Sequence, residues 1–153
     1  MITKNYLPKE SLDSLNSALV ECKGKFKNSM GVRSKQGLNG LSSVFETHKY
    51  FDMSPDLREL TKSCLSEQAF LEAIEVYFLR FPEGGFLDDY KAVPNCFLEC
   101  KSVLLTDTAT VVVAGTTYNL VKGDTITIPL KEVHSVESAS ELTDFLVLLK
   151  IKQ

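Results

Sequence analysis

Side chains able to do chemistry are scarce in this 153-residue sequence. Histidine occurs twice, at His48 and His134, so any site built on imidazole has at most two to draw on. Imidazole titrates near neutral pH and serves as general base or metal ligand. A lone histidine at the end of a strand-like run, as His134 is, reads first as a hydrogen-bonded structural residue and second as a ligand or base. Tyr90 follows the acidic pair Asp88-Asp89. Its phenol offers either a hydroxyl to a binding pocket or a ring that plugs one, and the two acids read as a solvated turn.

Four cysteines stand at Cys22, Cys64, Cys96 and Cys100, with no Cys-x-x-Cys pair for zinc or redox work. They read as reduced, mostly buried thiols. Cys96 and Cys100 are too far apart along one strand to bond to each other. Gly-x-Ser-x-Gly, a phosphate-cradling glycine loop ending in Lys-Ser/Thr, and His-Glu-x-x-His are all absent from the sequence. The residues 1–50 carry eight Lys/Arg against four Asp/Glu, and the remainder nine against sixteen. Lys23, Lys25, Lys27, Arg33 and Lys35 lie among Gly24, Gly31, Gly37 and Gly40, which reads as a mobile basic loop: a solvated surface segment or an anion-binding lid.

The elements that must position these groups change character near residue 74. Before it, Leu12, Leu15, Leu19 and Cys22 form an apolar helical stripe after Pro8, which suits a first turn, with Gly24 at the exit. Ser54-Pro55-Asp56 is a second helix start, with Leu57, Leu60, Cys64 and Leu65 on its buried face. After it come strand-like runs at 74–81, 97–106, 110–114, 118–121, 125–128, 133–136 and 145–151. Pro82-Glu83-Gly84-Gly85 breaks the first, a loop runs through Pro94-Asn95, and Gly115 and Gly123-Asp124 make tight turns. Seven short strands after two helices specify a mainly β sandwich or barrel with an N-terminal helical flank, not alternating βαβ units. One domain over 1–153 is expected, with flank and basic loop at 1–73 and the β core at 74–152.

Composition closes off other classes. With 44% hydrophobic and 24% charged residues the chain can bury a core, and its net charge of -3 and pI near 5.4 argue against nucleic-acid binding. No apolar run approaches the roughly 20 residues of a membrane span, and MITKNYLPKE lacks a signal peptide's apolar stretch. A cytoplasmic protein without membrane contact is expected.

The run from Gly123 through Pro129 to His134 resembles the second motif of the cupin superfamily: a turn, a strand, a proline bend, and a histidine aimed back into a barrel. The wider segment, Phe78 to Leu87, Val111 to Tyr118, Gly123-Asp124 and His134 to Val136, is similar to the iron- and 2-oxoglutarate-dependent oxygenases of the prolyl hydroxylase and aspartyl β-hydroxylase type. The resemblance covers residues 74–152 and implies a double-stranded β-helix (jelly-roll) fold. It also implies Fe(II) held by a His-x-Asp/Glu pair and a second histidine, and 2-oxoglutarate held by an arginine about ten residues later.

Carried across residue by residue, that set is incomplete. Tyr90 stands where the first histidine belongs, Ala92 where the carboxylate belongs, and Asp144 near the arginine position, where an acid would repel a dicarboxylate. His134 alone matches. Asp88 or Asp89, or Glu99 on the adjoining strand, would have to supply carboxylates to a metal on His134, and Lys101 is the remaining partner for a 2-oxoglutarate carboxylate. Otherwise Lys101 is a surface lysine beside Glu99.

Three readings stand. The favoured one, because three of the four family positions are replaced, is a metal-free, cofactor-free β-helix that binds a small molecule or protein or plays a structural role, with a homodimer through a sheet edge or the helical flank as one form. The second is an Fe(II)/2-oxoglutarate hydroxylase with a non-standard ligand set. The third is a metal-independent cupin-type sugar isomerase or epimerase with His134 as base and Tyr90 as acid.

Overall fold

The computed structural model describes residues 2–20, 27–28, 43–46, 55–90 and 98–151, with only the backbone of 27–28, 43–46, Pro55, Glu75 and 88–90. Most of the basic stretch, His48, Cys22, Cys96 and Ala92 lie outside these residues.

In chain order the elements are β1 (Ile2–Thr3), α1 (Lys9–Val20), β2 (Lys27–Asn28), β3 (Ser43–Glu46), α2 (Pro55–Cys64), α3 (Glu67–Glu72), β4 (Ala73–Phe81), β5 (Leu87–Tyr90), β6 (Leu98–Leu104), β7 (Thr108–Val113), β8 (Thr116–Val121), β9 (Thr125–Pro129), β10 (His134–Val136) and β11 (Thr143–Ile151). They form two antiparallel sheets. The larger has the order β1-β9-β6-β11-β4-β3-β2, and the smaller β5-β10-β7-β8.

Both helices expected from the apolar stripes are present. Leu12, Leu15 and Leu19 of α1 are buried, as are Leu57 and Leu65 at α2. The short α3 was not evident from the sequence. Ser66 caps it, its hydroxyl accepting a bond from the Ala69 amide at 3.1 Å. The seven expected strands are β4, β6, β7, β8, β9, β10 and β11. One expectation needs correction. Asp88-Asp89 is part of strand β5 instead of a turn, because the edge of β10 supplies the hydrogen bonds that local propensity does not. Beside the expected helices, the flank also contributes β1, β2 and β3 to the larger sheet.

The larger sheet is buried on both faces, which determines where each side chain goes. On β4 and β11, even-numbered Val76, Phe78, Leu146 and Leu148 pack under the helices with Leu15, Leu19 and Phe70. Odd-numbered Leu79, Phe81, Phe145 and Val147 turn to the smaller sheet and meet Val111, Leu120 and Val136. On β6 and β9 the even positions Cys100, Leu104, Ile126 and Ile128 face the inter-sheet core. The β7–β8 hairpin turns through Ala114 (φ 49°) and Gly115 (φ 83°), a two-residue loop with both φ positive that matches the strand twist. Among the described residues no helix is long and apolar enough to cross a membrane.

Candidate binding site between the sheets

A partly open cavity of about 180 Å³ lies between the two sheets. Leu79, Ile126, Ile128, Phe145 and Val147 contribute most of its apolar wall from the larger sheet, with Leu87, Val111 and Val136 from the smaller. Four polar groups join them: His134, Ser102, Cys100 and Tyr77. Among the described residues the lining contains no Asp, Glu, Lys or Arg.

His134 opens β10 and is only 6% exposed. Its Nδ1 lies 3.3 Å from the Glu132 carbonyl oxygen, and burial pushes its pKa below the ordinary 6.5, partly opposed by that hydrogen bond. At neutral pH the ring is therefore uncharged, with the proton on Nδ1 in the tautomer that donates to Glu132. The Ser102 hydroxyl lies 3.9 Å from Cys100 Sγ, at the long end for a bond to sulfur. Burial pushes the Cys100 thiol up to about 11 from 9.0. It stays protonated at neutral pH and is a poor nucleophile.

The histidine and the tyrosine singled out in the sequence come together. His134 pairs directly with Tyr90 of β5 on one side and Val113 of β7 on the other. Two residues later Val136 pairs with Leu87, so Asp88 and Asp89 share a bulge opposite Ser135. The side chains of Asp88, Asp89 and Tyr90 lie outside the described residues. Cys100 was legible only as a buried thiol, and Ser102 and Tyr77 carried no signal beyond strand alternation.

Three other residues face away from this cavity. Lys101 and Glu99 occupy the odd face of β6, beneath the N-terminal segment and the helices. The Lys101 ammonium sits 5.3 Å from the Tyr6 ring centroid, and Glu99 pairs with Lys150 at 3.4 Å instead of with Lys101. Asp144 lies on the helix-facing side of β11, where it accepts from Arg80 Nε (2.8 Å) and Nη2 (2.9 Å). The expectation that an acid at this position would face a bound dicarboxylate is thus corrected, because strand parity turns it to the opposite core. Among the described residues no three His, Cys, Asp or Glu side chains cluster closely enough to hold a metal. The described donors in the cavity offer one imidazole where Fe(II) needs two plus a carboxylate, so by themselves they do not fit that ion.

No protein-family model matches the sequence, and no curated protein does. Solved structures do match. A Pseudomonas putida prolyl-4-hydroxylase superposes over 100% of this chain and 92% of its own, with a TM-score of 0.67 at 13% identity. The fold is a cupin-like double-stranded β-helix. A predicted oxalate decarboxylase from Thermotoga maritima shares this β-helix at TM-score 0.51 and 16% identity, covering 73% of this chain and 82% of that one. A cupin-2 domain from Rhodospirillum rubrum does so at TM-score 0.50 and 14% identity, covering 83% and 66%. At such identities the likeness fixes the β-helix and leaves its chemistry to the residues in the cavity.

Proposed function

We propose that this cupin-like β-helix is a non-catalytic binding module that takes a small molecule into its barrel without Fe(II) or 2-oxoglutarate. The cavity wall carries this reading: among the described residues it presents one uncharged imidazole and neither Lys nor Arg. 2-Oxoglutarate would bring two carboxylates into an apolar space with no cation among the described residues to pair them, a placement that costs several kcal/mol per unpaired charge. The test is elemental analysis of protein purified without chelator, joined to thermal melts with Fe(II), Mn(II) and 2-oxoglutarate. Metal well below one ion per chain and an unmoved Tm are the expected results. Stoichiometric iron, or a Tm rise that needs Fe(II) and 2-oxoglutarate together, sinks the reading.

A second reading rests on the β5 bulge, which puts the backbone of Asp88 and Asp89 beside His134. A carboxylate from either residue together with the imidazole would make a weak site better suited to Mn(II) or Mg(II) than to Fe(II). Stabilisation by Mn(II) alone, abolished in both His134→Gln and the Asp88→Asn/Asp89→Asn double variant, would favour it.

A further inference from the structure

We infer that the ligand of this cavity is a small uncharged ring compound bearing a hydroxyl or similar polar group, of the size and chemistry of a substituted phenol. The inference rests on the binding-module reading and deepens it.

Volume sets the size. Cavities of roughly 150 Å³ lined by aliphatic and aromatic side chains hold benzene. At about 180 Å³ the barrel has room for one six-membered ring with one or two small substituents. A whole nucleotide sugar or peptide exceeds that volume and would have to extend out through the open side.

Charge sets the class. Leu79, Ile126, Ile128, Phe145 and Val147 offer a ligand only dispersion and the removal of apolar surface from water. The polar residues on the described wall are His134, uncharged at neutral pH, Cys100 with its protonated thiol, Ser102 and Tyr77. Such groups satisfy a hydroxyl, which donates and accepts, but none neutralises a carboxylate or an ammonium. Two nearby cations among the described residues are committed elsewhere: Lys101 lies over Tyr6, and Arg80 is bonded to Asp144 on the far face of the sheet. Against the described wall a charged ligand would enter unpaired, whereas its neutral analogue would not.

A matched pair tests this directly. 4-Methylphenol and 4-hydroxybenzoate share the ring and hydroxyl and differ by a carboxylate. Each is titrated into the full chain at pH 7 by thermal melt and by amide chemical shifts. The phenol is expected to bind one-to-one, with Kd between about 10 µM and 1 mM. At ten times Kd it should raise Tm by about 3–6 °C. Shift changes should centre on β6, β9, β10 and β11, and the benzoate should bind at least ten-fold more weakly. Equal or tighter binding of the benzoate overturns the inference while leaving the binding-module reading intact. Silence from both compounds, and from 2-naphthol as a larger ring, also overturns it. Failure of the parent reading is a separate event, recognised by bound iron or by stabilisation that needs Fe(II) with 2-oxoglutarate.

Val147→Phe fills the cavity and should abolish the phenol response while the melt stays cooperative. Because an overfilled barrel can fail to fold, the unmodified chain supplies an independent arm. Shift changes confined to surface residues of the helices would place the phenol elsewhere and refute the assignment.

Discussion

Arg80 and Asp144 stand directly opposite each other on β4 and β11, and the guanidinium grips the carboxylate through two hydrogen bonds, Nε to Oδ1 and Nη2 to Oδ2. Nη2 also reaches the Leu19 carbonyl oxygen at 3.3 Å, near the C-terminal end of α1. The pair therefore fastens the helical flank to the sheet from within a desolvated layer, its side chains 9% and 4% exposed. Removing one partner strands a buried charge. Asp144→Ala is expected to lower the unfolding free energy by about 3–5 kcal/mol, and the double change Arg80→Met with Asp144→Leu by much less. Urea melts of the two single variants and the double variant would show this, and an additive double variant would contradict it.

Acid should weaken the fold through His134. Burial holds its folded pKa below the ordinary 6.5, so between the folded value and 6.5 the unfolded chain binds more protons than the native one. The histidine's contribution is fully present above about pH 6.5 and is lost as pH falls toward the folded value. The slope is at most about 1.4 kcal/mol per pH unit. Denaturant melts from pH 8 to pH 5 should show this limb in the native sequence and a flatter one in His134→Gln.

Gly123 and Gly115 separate two costs of a methyl group at positive φ. Both are left-handed, at 93° and 83°, but an added Cβ at Gly123 would sit 3.2 Å from Leu12 Cδ1, whereas nothing lies within 4 Å at Gly115. Gly115→Ala should cost about 1 kcal/mol for backbone strain alone, and Gly123→Ala about 1–2 kcal/mol more because α1 is pressed against that turn. Equal losses in thermal melts would mean that Leu12 moves aside freely.

The thiols should differ in reactivity. With its pKa near 11, about one Cys100 in a thousand is thiolate at pH 8, and the residue is buried. Cys64 is only half-buried. Iodoacetamide at pH 8 followed by peptide mass mapping should find Cys64 modified well before Cys100, the latter labelling readily only in urea. Rapid native labelling of Cys100 would show that the barrel opens often.

The parts of this molecule that local chemistry specifies were readable from the residues alone. The apolar stripe of Leu12, Leu15 and Leu19 and the strands from β6 onward followed from periodicity and turn residues. What escaped was non-local. Leu87–Tyr90 carries two aspartates after a Pro-Glu-Gly-Gly break and becomes a strand only because β10 lies alongside. The bearing of Asp144 was illegible because its partner lies 64 residues away. Lys101 escaped for a related reason: runs such as Val103-Leu104-Leu105 are apolar at successive positions, so alternation cannot reveal which side of a doubly covered sheet holds the hollow. For the candidate site, His134 lines the cavity, and its backbone pairs in register with that of Tyr90. The wall itself, from Tyr77 to Ser102, required the three-dimensional arrangement.

With a core on each side, the seven-stranded sheet divides its residues by parity into two independent jobs. On β4 and β11 the even numbers hold the scaffold together and the odd numbers shape the hollow, and on β6 the assignment is reversed. Neighbouring positions in the chain can then drift under separate selection. The cavity wall can be altered at 145, 147 or 149 while 146 and 148 keep the helices in place.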